Sequence, residues 1–338
     1  MPAFKPGGGS PLNLIGVDWE LIDTPLGNWN LVAVAYSSDL DLWVAVSNSG
    51  TGGWANQRAI TSQTADSNDW TQRALVDGAW SSVTWSPVLG LFAATRQGNN
   101  TAQIATSPDG ITWTVRTTPA QTVTLQDIVA GKDKFVAVGA TASDASLNLG
   151  FWSSDGITWN NISAGNNSQW RAIAYSPELD TYVAVAQTGS GGQSRVMQSD
   201  AGTSFVLRST PSTRNWTDVT WAAALGLFIA CDSANNYITS PDGISWTEQQ
   251  IDGAAATNVW DGLAWSPVYS RLYAVSQSGA GERAAYTANA SGNWAMQDPP
   301  NTLIPWHDIA WGKSFFVAVG GQNSNIGMMR SCARFSTA

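Results

Sequence analysis

Charged residues are scarce in this sequence. They make up 12% of its 338 residues, about half of the roughly 25% that is usual for soluble proteins. Only four Lys and four Glu occur, the residues that commonly cover exposed helix faces, whereas 19 Trp outnumber the 9 Phe and 7 Tyr together. This composition excludes a mainly helical protein and favours strands. The surface must then be covered largely by Ser, Thr, Asn, Gln and Gly.

The sequence also lacks basic runs and long apolar runs. The 16 Lys and Arg stand against 25 Asp and Glu, a net charge of −9, so neither nucleic acid nor an anionic membrane is an expected partner. No stretch reaches the roughly 18 apolar residues of a membrane helix, and we expect no membrane insertion. The N-terminal segment MPAFKPGGGSPLNL lacks the features of a signal peptide. We therefore expect synthesis in a cytoplasm without export by that route.

Cysteine and histidine are nearly absent. The two cysteines, Cys231 and Cys332, have no CxxC or Cys/His neighbours, which excludes a disulfide scaffold and a zinc site. Buried free thiols are favoured over a disulfide between the two. No metal and no cofactor are predicted.

A motif that recurs seven times organises the chain. It is clearest as WSSVTWSP from Trp80, WRAIAYSP from Trp170 and WDGLAWSP from Trp260. Its copies start, 44 to 49 residues apart, at Leu31, Trp80, Leu125, Trp170, Trp216, Trp260 and Trp306. Each copy continues with a second apolar run, a third short strand, a turn and a fourth strand. Four strands in about 45 residues, seven times over, predict an all-β fold, a seven-bladed β-propeller with four-stranded blades.

The residue types before the fourth strand predict a turn, as in Ser107-Pro108-Asp109-Gly110. The Ser hydroxyl can bond back to the chain, Pro presets φ, and Gly accepts the left-handed conformation that a β-carbon would penalise. An aromatic residue follows three positions after the Gly, as at Trp113. These features predict a tight hairpin between the third and fourth strands of a blade.

The last unit lacks a fourth strand, because only residues 330–338 follow its third. The segment Val17–Leu21 matches the fourth strands of the other units, so we expect a strand within residues 15–24 to close the ring, which removes exposed sheet edges. The predicted organisation is a single propeller over residues 15–338. Residues 1–14, rich in Pro and Gly, are predicted to form a flexible arm.

The Ser-x-Asp-Gly-x-Thr-Trp turns resemble a shortened Asp-box of sialidase-like (BNR-repeat) propellers. The phrase FVAVG…SPDGITWT resembles repeats in propeller proteins of bacteriophage tails and other virions. The resemblance covers nearly the whole chain from residue 15 and implies the propeller architecture. It implies no activity, since the Asp-box is a turn that stabilises the fold.

The catalytic residues of sialidases are missing from this sequence. Of the twelve arginines only Arg171 lies near the start of an inner strand, and the four glutamates, Glu20, Glu178, Glu248 and Glu282, fall on an outer strand or in loops. His307 has no matching nucleophile. We therefore expect a protein that is not an enzyme.

Three aspartates occupy equivalent positions near the start of inner strands, namely Asp127, Asp218 and Asp308. They are candidate carboxylates of the channel mouth that could hold a cation or water, or act as acids with raised pKa. The alternative, which we favour, is that they bond backbone amides at strand ends. Because they lie on alternate blades, a seven-fold ring is expected to keep them apart, beyond the roughly 5–9.5 Å of glycosidase pairs.

Five units begin with Trp, which makes these residues candidate ligand-binding aromatics on the rim: Trp80, Trp170, Trp216, Trp260 and Trp306. Aromatic rings on a rim suit sugar or protein binding. The alternative, which we favour, is that they fill the core between blades.

The sequence taken alone thus predicts a non-enzymatic structural or attachment component of a virus particle, such as a phage tail or capsid-surface protein. Its expected location is the virion, and its expected partners are other virion proteins, contacted through the N-terminal arm, and in addition host surface glycans. A soluble multivalent carbohydrate-binding lectin is the alternative, and a divergent glycoside hydrolase is the third hypothesis.

Overall fold

The computed structural model describes residues 14–22, 29–50, 56–98, 101–120, 123–141, 148–163, 168–188, 195–255, 257–279, 282–322 and 325–335. Within these ranges 28 strands form seven four-stranded antiparallel sheets. The sheets are the blades of a seven-bladed β-propeller, as the repeat predicted. We number the blades in chain order of their innermost strands. The arm predicted for residues 1–14 lies, apart from Leu14, outside the described residues.

Blades 1 to 4 each consist of four consecutive strands, with the first strand innermost. Their strands are β2 (Trp29–Ser37), β3 (Leu42–Gly50), β4 (Ala59–Ser62) and β5 (Thr71–Arg73); β6 (Ala79–Ser86), β7 (Leu91–Gln97), β8 (Ile104–Ser107) and β9 (Thr114–Arg116); β10 (Val123–Ala130), β11 (Phe135–Thr141), β12 (Asn148–Ser153) and β13 (Asn160–Ser163); and β14 (Gln169–Ser176), β15 (Thr181–Thr188), β16 (Val196–Ser199) and β17 (Val206–Arg208).

Blades 5 and 6 repeat this order, and a 3₁₀ turn (Ala223–Leu225) lies between the first two strands of blade 5. Their strands are β18 (Trp216–Ala222), β19 (Leu227–Asp232), β20 (Asn236–Ser240) and β21 (Thr247–Gln250); and β22 (Val259–Ser266), β23 (Arg271–Ser278), β24 (Ala284–Thr287) and β25 (Ala295–Gln297). Blade 7 contains β26 (Trp306–Gly312), β27 (Phe315–Gln322) and β28 (Asn325–Phe335).

The first strand of the chain, β1 (Leu14–Ile22), is the outer strand of blade 7. It pairs antiparallel with β28, for example Trp19 with Ser331. The predicted closure of the ring by an N-terminal strand is therefore confirmed. Trp19 is half-buried, and its indole Nε1 donates to Oε1 of Gln297 on blade 6 at 3.3 Å, so the closing strand also ties two blades together.

The cores lie between neighbouring blades. Each innermost strand buries an aliphatic residue three positions after the start of the motif, such as Val83, which is 6% exposed, and Ile309, which is 3% exposed. The residue that starts the motif packs in the same buried cluster, as Trp80 does with Val83 and Trp306 with Ile309. Tight contact between blades is the main source of burial in this fold.

The predicted turn chemistry is present in blade 2. Oδ1 of Asp109 accepts hydrogen bonds from the amides of Ile111 and Thr112 at 2.8 and 2.7 Å and from the Ser107 hydroxyl at 2.9 Å. Gly110 has φ +69°, and a β-carbon there would lie 2.9 Å from side-chain atoms of Leu42 and Val44 in blade 1. Glycine is thus required by the backbone conformation and by the close approach of the next blade.

The antiparallel order divides the connections between two ends of the propeller. The inner turns, between the first and second strands of the blades, are 38–41, 87–90, 131–134, 177–180, 223–226, 267–270 and 313–314. The outer turns, between the third and fourth strands, are 63–70, 108–113, 154–159, 200–205, 241–246 and 288–294. Both sets lie at one end, which we call the turn face. The innermost strands begin at the other end, the pocket end.

Two further features bear on the sequence predictions. Cys231 is a buried free cysteine, as expected, whereas the side chain of Cys332 is outside the described part of the structure. In the described ranges no helix has the length and apolar character needed to cross a membrane.

Candidate functional site

Every innermost strand contains a β-bulge directly after the residue that starts the motif. In blade 2, for example, Trp80 pairs with Arg96 and Ser82 pairs with Thr95, which leaves Ser81 without a partner across the ladder. The seven bulge residues are Val32, Ser81, Gln126, Arg171, Thr217, Asp261 and His307. A bulge redirects a side chain out of the regular alternation. Here the bulge directs the side chain at this position toward the pocket end. In six of the seven blades this side chain is polar or charged.

All seven bulge residues line one pocket of about 180 Å³, which we call the axial pocket. Because each blade contributes one of them, the pocket lies where the innermost strands converge. Further lining residues are mostly polar, including the amides Asn48, Gln97 and Gln277. Such a surface, rich in donors and acceptors, suits a small polar ligand better than an apolar one.

Arg171, Asp261 and His307 form a charged bridge in the axial pocket. Nη2 of Arg171, on blade 4, lies 3.4 Å from Oδ1 of Asp261 on blade 6. Nδ1 of His307, on blade 7, lies 3.3 Å from Oδ2 of the same carboxylate. The Asp261 side chain is 3% exposed, whereas those of Arg171 and His307 are 35% and 20% exposed. A buried carboxylate thus orients a guanidinium and an imidazole that both reach the pocket.

The second ring nitrogen of His307 also faces an acceptor. Nε2 lies 3.3 Å from the carbonyl oxygen of Gly321. A ring that carries both protons can donate to Gly321 and Asp261 together, whereas either neutral tautomer can donate to one of them. On the other side of the bridge, Nη1 of Arg171 donates to Oε1 of Gln126 at 3.0 Å.

The three predicted aspartates bond backbone amides of neighbouring blades, in agreement with the interpretation favoured from the sequence. Oδ2 of Asp127 accepts from the amide of Ile173 at 2.8 Å, Oδ2 of Asp218 from Leu263 at 2.6 Å and Oδ2 of Asp308 from Val34 at 2.8 Å. Each Oδ1 accepts from the amide of the next residue in its own strand. These carboxylates therefore link blade 3 to 4, 5 to 6 and 7 to 1.

The structure places the three aspartates around one pocket, and their expected separation beyond glycosidase distances stays a prediction. All three line the axial pocket, and their charges act on one another. Burial and repulsion by Asp127 and Asp308 raise the pKa of Asp218 well above its usual value. Burial likewise raises the pKa of Asp127 and raises that of Asp308 to about 7. The innermost strands of a propeller converge, so alternate blades are close at this end even though they are far apart at the rim.

Asp261 behaves differently from its neighbours. Burial acts to raise its pKa, but the hydrogen bond with His307 and the charge of Arg171 outweigh burial and hold the pKa below its usual value. The axial pocket therefore contains carboxyl groups whose pKa values are moved in opposite directions. That property is typical of sites that transfer protons.

The five tryptophans predicted as candidate rim aromatics are core residues. Trp80, Trp170, Trp216, Trp260 and Trp306 are all 0% exposed. Although Trp80 borders the axial pocket, its indole Nε1 donates to the carbonyl of Val76 at 2.9 Å and is buried. The prediction that these rings bind a ligand is not supported, because no ring surface is accessible to one.

Among the described residues, no group of three or more His, Cys, Asp and Glu is arranged to hold a metal ion.

Three residues of this site were not predicted from the sequence as functional. Asp261 was not among the candidate residues, and His307 and Arg171 were considered but not assigned a role. The sequence signal for these residues was the position one residue after the motif start. The residue there is polar or charged in six units, and it is a different residue type in each of the seven.

No family model and no curated protein matches this sequence. Solved structures match its fold. Virginiamycin B lyase from Staphylococcus aureus, in a structure of a catalytically inactive histidine-to-alanine variant with quinupristin, superposes with a TM-score of 0.75 at 10% identity, over 94% of this chain and 100% of that one. A streptogramin B lyase gives 0.75 and 10% over 95% and 99%.

The β-propeller domain of Cps50 (Swd1) from Myceliophteria thermophila gives a TM-score of 0.63 at 12% identity, over 94% of this chain and 99% of that one. These identities establish the propeller fold and nothing finer. The predicted kinship with Asp-box and phage propellers, and with it carbohydrate binding, finds no support in these structures.

The prediction that this protein is not an enzyme is contradicted by the comparison. The structures that match with a TM-score of about 0.75 are lyases, which are enzymes, and the Swd1 domain shows that the scaffold is not tied to one role. The missing sialidase residues excluded one chemistry only, so they gave no ground for excluding catalysis on a propeller.

Proposed function

We propose that the protein is an enzyme that binds a small polar ligand in the axial pocket and catalyses a proton transfer on it. The observation that carries the proposal is the contact of His307 with Asp261, in which a buried carboxylate orients the imidazole at the wall of a polar pocket. A distance of 3.3 Å is long for such a pair, and pairs of this kind commonly tighten when a ligand is bound.

The reaction class that fits these groups is elimination, the type of bond cleavage that lyases perform. Elimination needs a base that removes a proton from carbon and an acid that protonates the leaving atom. The electron pair of the broken C–H bond becomes the new double bond. We assign the acid to His307, whose nitrogens both face acceptors, and the base to Asp308, which lines the same pocket with a pKa of about 7. Arg171 would hold a carbonyl or carboxylate oxygen of the ligand.

Because His307 is the only histidine in the chain, its ring gives one set of imidazole signals in an NMR spectrum, of which the Cε1–H signal is followed. The first test follows that signal during titration with quinupristin, a neutral disaccharide, an aliphatic diamine and a dicarboxylate. We expect saturable shifts with at least one of these compounds. Val32→Trp, which fills the pocket from blade 1, should abolish the shift, whereas Leu303→Asn, at an exposed position outside the pocket, should not.

The second test follows turnover of the responding compound in H₂¹⁸O by mass spectrometry. Elimination conserves the atoms of the substrate and incorporates no ¹⁸O, whereas hydrolysis incorporates one atom. His307→Gln should lower the rate by about 100-fold or more, and Asp261→Asn should lower it less. The proposal fails if no compound perturbs the imidazole, or if turnover survives in the His307 variant.

The virion location, the contact of residues 1–14 with other virion proteins and the contact with surface glycans stay predictions from the sequence. Residues 1–13 lie outside the described part of the chain. The neutral disaccharide in the titration tests the lectin alternative. The ¹⁸O measurement tests the glycoside hydrolase alternative.

A further inference from the structure

Exposed apolar side chains are concentrated on the turn face. Ten large apolar residues of the described chain are at least 36% exposed, and seven of them lie at the tips of turns on this one face. Four belong to the inner turns, namely Leu40, Val88, Leu179 and Val268. Three belong to the outer turns, namely Ile111, Ile157 and Ile244. Scattered exposed apolar residues need no explanation, but a set confined to one face does.

The turns of this face carry most of the net negative charge of the protein. The inner and outer turns together contain eleven acidic residues and three lysines, a balance of −8 within a chain whose net charge is −9. Each of the three lysines already pairs with a carboxylate of these turns, at 2.6 to 2.8 Å: Lys132 with Asp180, Lys134 with Asp133 and Lys313 with Asp41. The turn face therefore combines apolar tips with a strongly acidic surrounding.

From this combination we infer that the turn face is a docking surface for a partner protein that presents basic residues around apolar ones. Apolar contacts at the turn tips supply the burial, and the acidic residues supply charge complementarity and steer the approach of a cationic surface. A second copy of this chain does not fit, because two faces of −8 would repel each other. An anionic membrane is repelled for the same reason.

The turns that carry this surface are rigid enough to present it. Gly156 and Gly243 of two outer turns have φ of +68° and +71°, as Gly110 does, and the aspartate before each glycine accepts two backbone amides of its own turn at 2.7 to 2.8 Å. A preorganised surface loses little entropy on binding. Since the axial pocket opens at the opposite end, a docked partner leaves it accessible, and this inference is independent of the proposed function.

The experiment uses the full-length protein and a defined probe, a 14-residue peptide of alternating Lys and Leu. We expect saturable binding that weakens as salt rises. The triple variant Val88→Asn, Leu179→Asn, Val268→Asn should weaken binding by about tenfold or more, as should Asp39→Asn, Asp133→Asn, Glu178→Gln. Matched controls alter the pocket end: Leu303→Asn, which removes a side chain that is 68% exposed, and the charge variant Glu282→Gln, Asp298→Asn.

Retained binding in both control variants, with loss in both turn-face variants, supports the inference. Equal affinity of the wild type and the turn-face variants overturns it, and so does an equal loss in the controls. Binding to vesicles with anionic lipid, or a salt-insensitive dimer in sedimentation analysis, would also overturn it by pointing to a membrane or a second copy as the occupant.

Discussion

The turn face and the axial pocket both contain aspartates that accept backbone amides, yet the pKa values of these aspartates move in opposite directions. Oδ1 of Asp155, on an outer turn, accepts from the amides of Ile157 and Thr158, both at 2.7 Å, and its pKa is lowered to about 2. Asp308 accepts two amides at 2.8 Å, and its pKa is raised to about 7.

The difference comes from water, from neighbouring charges and from the hydroxyl of Ser153, which donates to Asp155 in addition to the two amides. Burial acts to raise the pKa of both groups, but the exposed Asp155 keeps enough water for its amide bonds to prevail. Asp308 lies in the pocket wall, where burial outweighs its amide bonds and the charges of Asp127 and Asp261 raise its pKa further. The same residue type therefore stabilises a turn at one end and supplies a titratable group at the other.

The largest effect we expect tests how strictly the backbone controls the turn face. Gly110→Ala should lower the free energy of unfolding by about 3 kcal/mol, because φ is +69° and the new β-carbon would lie 2.9 Å from Leu42 and Val44. Gly90→Ala is the matched control in the same blade, with φ +63° and no atom within 4 Å. It should cost about 1 kcal/mol. Equal losses in urea unfolding of the two variants would show that contact between the blades does not matter.

Most of the fold was predictable because it is encoded by repetition. Units of 44 to 49 residues, the Ser-Pro-Asp-Gly turns and the unmatched segment Val17–Leu21 predicted seven blades and the closing strand, and the pairing of β1 with β28 confirmed that closure. Local chemistry suffices here, since each turn is stabilised by its own residues.

The candidate site was less predictable because it arises where the repeat is interrupted. Trp80 and Val83 are three positions apart, which in a regular strand puts them on opposite faces. They nevertheless pack in one cluster, because the bulge at Ser81 changes the alternation. In every unit two large apolar residues are an odd number of positions apart, and this spacing was the available sequence signal for the bulge.

Contacts across the axis could not be predicted from the sequence at all. Arg171 and Asp261 are 90 residues apart and belong to blades that are not adjacent. Their meeting depends on how closely seven innermost strands converge, which no local pattern contains. The five tryptophans are buried, as the interpretation favoured from the sequence had it, and the side chains that reach the pocket are those of the next residue.

A second prediction tests whether the pocket aspartates lower stability at neutral pH. A group whose pKa is raised from about 4 to about 7 on folding contributes stability that is fully present below about pH 4 and is lost as the pH rises through about 7. Asp308→Asn should therefore be less stable than the wild type at pH 5, where it loses one amide hydrogen bond. By pH 8 this deficit should shrink by about 1–3 kcal/mol, after allowance for screening by water. Parallel curves of unfolding free energy against pH for the two proteins would show that burial does not affect Asp308.

The smallest effect has the opposite sign and completes the comparison. Because the pKa of Asp155 is lowered to about 2, its contribution is present above about pH 4 and is lost as the pH falls through about 2. Asp155→Asn keeps an oxygen that can accept from Ile157 and Thr158 but loses the charge, so it should cost less than about 1 kcal/mol at pH 7 and progressively less as the pH falls through about 2. Asp39→Asn, at an exposed turn aspartate that accepts a bond from the Ser38 hydroxyl, is the control and should change stability little at either pH. If chemical denaturation instead showed the cost of Asp155→Asn growing as the pH falls, turn and pocket aspartates would titrate alike, and exposure to water would not be what separates the two ends of the propeller.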